Sequence, residues 1–122
     1  MKKLEKFKFE KLLIWQKAMT FGESINNISK DFPEIEKFNL SSQIRRASDS
    51  IALNIAEGSI GQSNPEQIKF MGYAIRSLAE VITCLHKCIL RKYITQEQFE
   101  TLYEMSFRLM NMMIAFQKTL KK

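Results

Sequence analysis

Apolar side chains recur along this chain at steps of three and four, the spacing of one face of an α-helix, in four separate stretches. The first, about residues 12–31, carries Ile14, Ala18, Phe21, Ile25, Ile28 and Phe32. It stops at Asp31-Phe32-Pro33, because a residue preceding proline is pushed out of the α region. The second, about 40–57, carries Leu40, Ile44, Ala47, Ile51 and then Asn54, flanked by Ile55. Asn39 is placed as its N-cap and Gly58 as a left-handed C-terminal cap. The third, about 64–92, opens on a capping box of Ser63 and Glu66, with Pro65 in the first turn, where its missing N–H costs nothing. Its seam is Ile68, Met71, Ile75, Leu78, Ile82, Leu85 and Ile89, and a second seam of Phe70, Ala74, Ser77, Val81, Cys84 and Cys88 lies beside it. The fourth, about 96–120, opens on another capping box, Thr95 and Gln98, and carries Phe99, Leu102, Ser106, Leu109, Met113, Phe116 and Leu120. Its neighbouring seam is Tyr103, Phe107, Met110 and Ile114. Residues 1–11 precede the first helix as an arm, and no run of alternating polarity is long enough to compete as a strand.

Four helices with short connections pack against their sequence neighbours, which predicts one all-α domain, an antiparallel up-down-up-down four-helix bundle. Steps averaging 3.5 residues favour a shallow, left-handed crossing. The last two helices carry apolar surface wider than one seam, extended on the fourth by Met105 and Met112. That surplus predicts self-association; a wide core stripe is the alternative.

Composition then removes function classes. The longest apolar runs, Leu12 to Trp15 and Met112 to Phe116, fall far short of the ~18 residues that cross a bilayer. The basic start, Met1-Lys2-Lys3, is followed by Glu5 and Glu10 and only a four-residue apolar stretch, too short for a signal peptide. These features predict a cytoplasmic protein that spans no membrane. Two cysteines and one histidine leave little material for catalysis, metal binding or a cofactor, and the chain is expected to be non-enzymatic. Cys84 and Cys88, four apart, are half a metal site at most, and His86 points roughly 160° away from each of them. As small buried hydrophobes they need no chemistry. A di-iron bundle needs repeated Glu-x-x-His pairs, which are missing, and there is no glycine-rich phosphate loop.

The second helix reads Leu40-Ser41-Ser42-Gln43-Ile44-Arg45-Arg46-Ala47-Ser48-Asp49-Ser50-Ile51-Ala52-Leu53-Asn54-Ile55-Ala56-Glu57-Gly58. It resembles the signature of the 23S rRNA intervening-sequence proteins. Ile14-Trp15-Gln16-Lys17-Ala18-Met19 is similar to that family's first-helix motif, and Phe70 to Glu80 to its third. Lys92-Tyr93-Ile94-Thr95, followed by Glu97 and Phe99, is similar to its third turn. The resemblance runs from about Phe9 to the C-terminus. It implies a four-helix bundle assembled as a homopentamer with a central channel, without established enzymatic activity and often labelled ribosomal. The family in turn resembles the retroelement accessory proteins, basic pentamers that bind nucleic acid and a reverse transcriptase. Members often have proline where this chain has Ala52, and an arginine shortly after the Glu-Gly pair, where it has Ser59-Ile60-Gly61-Gln62.

Charge supplies the remaining candidates. Lys plus Arg number 19 and Asp plus Glu 13, a net +6 that favours a polyanionic partner. Arg45 and Arg46 diverge by about 100° on their helix. They suit phosphate contacts, or a salt bridge to Asp49 or across a subunit boundary. Asn54 on the apolar seam would fix register or oligomer number, with ligand binding as the alternative. Glu57 near a helix C-terminus needs a cationic partner, for which Lys69 and Arg76 are placed. The arm Lys2-Lys3-Leu4-Glu5-Lys6-Phe7-Lys8-Phe9 interleaves lysines with aromatics, a pattern that grips phosphates and stacks on bases. Lys87, Arg91 and Lys92 end the third helix, and Lys118, Lys121 and Lys122 the fourth. The predicted nucleic-acid contacts are Lys6, Lys8, Arg45, Arg46, Lys87, Arg91 and Lys92; solvated surface explains each cluster taken alone. Partners expected are further copies of the chain, RNA or DNA, or a protein such as a reverse transcriptase.

Overall fold

In the computed structural model, which describes residues 2–61 and 63–121, the chain forms four α-helices: α1 (Leu13–Ser29), α2 (Leu40–Ile60), α3 (Asn64–Leu90) and α4 (Gln96–Thr119). Met1, Gln62 and Lys122, invoked above, lie outside the described residues. Two short 3₁₀ turns, Lys8–Lys11 and Glu34–Glu36, precede α1 and α2, and the described residues contain no strand. None of these helices is long and apolar enough to cross a membrane.

Each helix packs on the next and α4 closes on α1, giving a four-cornered bundle with antiparallel neighbours. On α3 and α4, Gln117 Nε2 donates to the Ile68 carbonyl near one end, and His86 meets Phe99 near the other. Between α2 and α3, Ser50 reaches Ser77 midway and Glu36, just before α2, reaches Arg91, just after α3. The core is the sum of the predicted seams: Phe21 and Ile25 of α1, Ile44 and Ile51 of α2, Leu78 and Leu85 of α3, Leu109 and Met113 of α4. Each such side chain, fully buried, contributes roughly 1.5–3 kcal/mol. On α3 the buried line Met71, Ala74, Leu78, Val81, Leu85, Cys88 runs between the two expected seams, leaving Ile68, Ile75, Ile82 and Ile89 half-buried at its edge.

Three local expectations are corrected. Gly58 does not cap α2, which continues to Ile60 with no glycine at positive φ. A Cβ on Gly58 would lie 2.8 Å from Phe70 Cβ and 3.4 Å from Gln67 Cα, so glycine is there to let two helices close together. The left-handed cap is instead Lys92, at φ 63°, after α3. Tyr93 N–H reaches the Cys88 carbonyl at 2.9 Å and Lys92 N–H that of Ile89 at 3.1 Å, the two bonds of a Schellman motif. The Asn39 side chain does not cap α2 either; Glu36 Oε1 accepts from Leu40 N–H at 3.3 Å and from Asn39 Nδ2 at 3.1 Å. Thr95 and Gln98 complete their capping box in both directions, whereas Ser63 supplies only its half, accepting from Glu66 N–H.

The surplus apolar surface is not special to α3 and α4. They expose Tyr73, Leu90, Tyr103 and Phe107, while Phe7, Met19, Ile35, Phe38, Leu53 and Ile60 are exposed elsewhere. Packing consumes the wide seams of α3 and α4 only in part: Cys84 and Cys88 are buried, Met110 and Ile114 half-buried, and Tyr103 and Phe107 remain exposed.

Candidate nucleic-acid interface

The predicted cations fall at opposite ends of the bundle. The arm lies beside the C-terminal half of α2, where Phe9 shares a groove with Leu53 and Ala56. Lys6 and Lys8 are exposed there. Lys87, Arg91 and Lys92 sit at the other end of α3, whose start packs beside the end of α2. Arg45 and Arg46, exposed on the second turn of α2, lie towards that far end. One chain therefore does not gather the seven residues into a single site.

The arm is held by its own polar groups. Phe7 N–H donates to Glu10 Oε1 at 3.0 Å, Glu10 N–H to the Phe7 carbonyl at 3.1 Å, and Gln16 Nε2 to the Glu10 carbonyl at 2.8 Å. These bonds close the 3₁₀ turn and aim its aromatic rings. Phe9 stands edge-on to Trp15 at 5.3 Å, and Phe7 lies parallel on Phe9, 5.9 Å away at 9°. Lys3, Leu4, Glu5, Lys6 and Lys11, from the segments flanking Phe7 and Phe9 in sequence, line an open cleft of about 480 Å³.

At the far end Arg91 is not a free cation. Its Nη1 donates to Glu36 Oε2 at 2.9 Å, and Tyr93 OH donates to the same oxygen at 2.7 Å. With Leu40 N–H and Asn39 Nδ2 on Oε1, the Glu36 carboxylate accepts four hydrogen bonds while only 6% exposed. The Tyr93 hydroxyl is the main cause that holds Glu36 below its ordinary pKa; the Leu40 amide, Arg91 and Asn39 assist, and burial opposes them. The same bond raises Tyr93. Nothing in the sequence spacing singled out Glu36, since its partners lie 55 and 57 residues away.

The polar motif of α2 also departs from expectation. Asn54 is half-buried rather than a core amide, and its Nδ2 donates to the Ser50 carbonyl at 2.8 Å. Glu57 is exposed and forms no ion pair among the described residues. Lys69 pairs with Glu66 instead, at 3.7 Å. Asp49 is likewise exposed and makes no ion pair with Arg45 or Arg46 in the described chain. Cys84 and Cys88 are buried and unpaired. Burial raises both thiols, Cys88 to about 12, so neither is a nucleophile near neutrality. His86 is exposed against Phe99 and Tyr103, and the described residues hold no cluster of three or more His, Cys, Asp or Glu side chains suited to a metal.

One feature escaped the sequence reading: an apolar groove of about 450 Å³ between α1 and α2. Phe9, Trp15, Met19 and Leu53 form its walls, and Glu23 and Asp49 its acidic mouth. Its signal was present as small residues at four-residue steps, Ala18 and Gly22 facing Ser48, Ala52 and Ala56. Small side chains leave the space that the rings then border.

A family model described as 23S rRNA-intervening sequence protein matches residues 10–115. Among solved structures, a protein of unknown function from the S23 ribosomal protein family of Bacteroides thetaiotaomicron is 30% identical, with a TM-score of 0.81. The match covers 87% of this chain and 99% of that one. No curated protein matches.

Proposed function

Since the chain belongs to the 23S rRNA-intervening sequence protein family, we propose that it is a non-catalytic, cytoplasmic homo-oligomer that holds structured RNA by its phosphates. The observation that carries this reading is a pair of unlike apolar surfaces on opposite flanks of one bundle. One is the α1–α2 groove; the other is the α3–α4 flank bearing Tyr103 and Phe107. Unlike surfaces on one protomer suit a head-to-tail contact, which makes a ring when the rotation closes. In five copies, the number implied by the family resemblance, a net charge of +6 becomes roughly +30. The two basic ends, too far apart to cooperate within one chain, are then each repeated around a ring. Binding is electrostatic and indifferent to base sequence.

The test joins a mass measurement to a salt series. Light scattering at micromolar concentration should give several times 14.3 kDa, and a single-chain mass refutes self-association. In filter binding, affinity for a structured RNA should fall steeply from low to physiological salt; a flat response refutes phosphate contact. The α1–α2 groove supports a second reading, a scaffold for another protein such as a reverse transcriptase. A pull-down that retains a protein partner after nuclease treatment favours that reading over RNA.

A further inference from the structure

The arm presents an arrangement that phosphate contact alone does not use. Phe7 is 70% exposed and takes no part in the core, yet its N–H donates to the Glu10 carboxylate and its carbonyl accepts from Glu10 N–H, which fixes the backbone beneath it. Its ring lies parallel to that of Phe9, which in turn meets Trp15 edge-on. The Phe7 and Phe9 ring centroids are 5.9 Å apart, and most of the Phe7 surface is open to solvent. An open aromatic face backed by a parallel ring accepts a flat ligand as the next member of the stack. Lys6 and Lys8 flank Phe7 in sequence, and Lys3, Lys6 and Lys11 line the cleft. A planar ring beside a basic cleft matches a nucleotide, with a base for the ring and phosphates for the ammonium groups.

We infer that this end of the molecule binds unpaired, single-stranded nucleic acid, with one base stacked on Phe7 and the adjoining phosphates in the cleft of Lys3, Lys6 and Lys11. The inference rests on the nucleic-acid reading above and narrows it: within a structured RNA, the contacted part is a loop or an end. Bases inside a duplex already stack on each other and leave no face for Phe7. A lipid surface, the other partner of lysine–aromatic segments, is poorly matched, because interfacial binding uses the apolar side of an extended amphipathic helix. Here the helical part is a four-residue 3₁₀ turn with Glu10 in it.

The experiment compares a 12-nucleotide oligouridylate with an RNA duplex of equal charge, using the full chain and three variants. For the intact chain the single strand should bind more tightly. Phe7→Ala should weaken single-strand binding about tenfold and leave the salt slope unchanged, since no charge is lost. Phe7→Tyr, which keeps the ring, should retain affinity. The triple change Lys3→Gln, Lys6→Gln, Lys11→Gln should lower the slope by about 0.7 per lysine. An unchanged melting temperature for each variant confirms that the fold is intact. Equal, salt-dependent binding of both RNAs with no Phe7 effect overturns the stacking site and leaves the electrostatic reading standing. Salt-independent or absent binding of both overturns the two together. Phe7-dependent capture by phosphatidylserine–phosphatidylcholine vesicles, without Phe7-dependent binding of oligouridylate, assigns the arm to a membrane surface and overturns the inference.

Discussion

The two ends of the bundle are fastened by different physics. At the end where α3 stops, a buried carboxylate collects Arg91, Tyr93, Asn39 and a backbone N–H, tying the turn before α2 to the turn after α3. At the opposite end α2 and α3 are brought together by shape, with Gly58 packed against the backbone of Gln67 and the Cβ of Phe70. The difference decides which cations are left over. Charge used to hold a fold is already neutralised, so Arg91 is engaged, whereas the exposed arm lysines beside the shape-fastened end make no ion pair among the described residues.

Removing the carboxylate should have the largest effect. Glu36→Ala leaves Tyr93 and the Leu40 N–H without their acceptor, and thermal denaturation should fall by roughly 10 °C. Binding at the arm should be unchanged; a matching loss of RNA affinity would show that the two ends are not separate. Next comes Gly58→Ala. Alanine is the better helix former, but its Cβ collides with Phe70, and urea unfolding should show a net loss of about 1–3 kcal/mol. Stabilisation there would mean that the close approach is dispensable.

The Glu36 network also predicts a pH window. Glu36 is held below its ordinary 4.5, so its contribution is complete above that pH and fades as pH falls through the lowered folded value. Tyr93 is raised above 10.0, so its contribution is complete below pH 10 and fades as pH climbs through the raised folded value. Urea midpoints against pH should droop at both extremes, and both slopes should flatten in Glu36→Gln. The smallest effects are gains. Lys92→Gly relieves a left-handed lysine and should stabilise by about 0.5–1 kcal/mol. Gly22→Ala, where a Cβ meets Ser48 Oγ at an ordinary 3.4 Å, should add a similar amount by calorimetry. The contrast with Gly58 separates a glycine that is required from one that is merely tolerated.

Much of the architecture was legible before any coordinates. The three-and-four spacing located every helix, and the Thr95–Gln98 box marked the start of α4 because capping is a local interaction between residues three apart. Gly58 was misassigned because a glycine near a predicted helix end reads the same whether it turns the chain or admits a neighbour. Lys92 was placed among nucleic-acid contacts when its backbone also serves as the cap, a position where glycine is the usual signal. Of the candidate site, the lysine–aromatic alternation of the arm is visible in the sequence, but not that Phe9 meets Trp15 edge-on with Phe7 parallel to it.

Periodicity, caps and net charge are properties of neighbouring residues and of sums, so the chain written as letters settled the helices, their antiparallel order and the excess of positive charge. Which charges remain available, which glycine is irreplaceable and where an apolar groove opens depend on groups a dozen or more residues apart arriving within a few ångströms. Glu36 with Arg91, Gly58 with Phe70 and Phe9 with Leu53 meet only because the helices pack, and packing alone assigned them their roles.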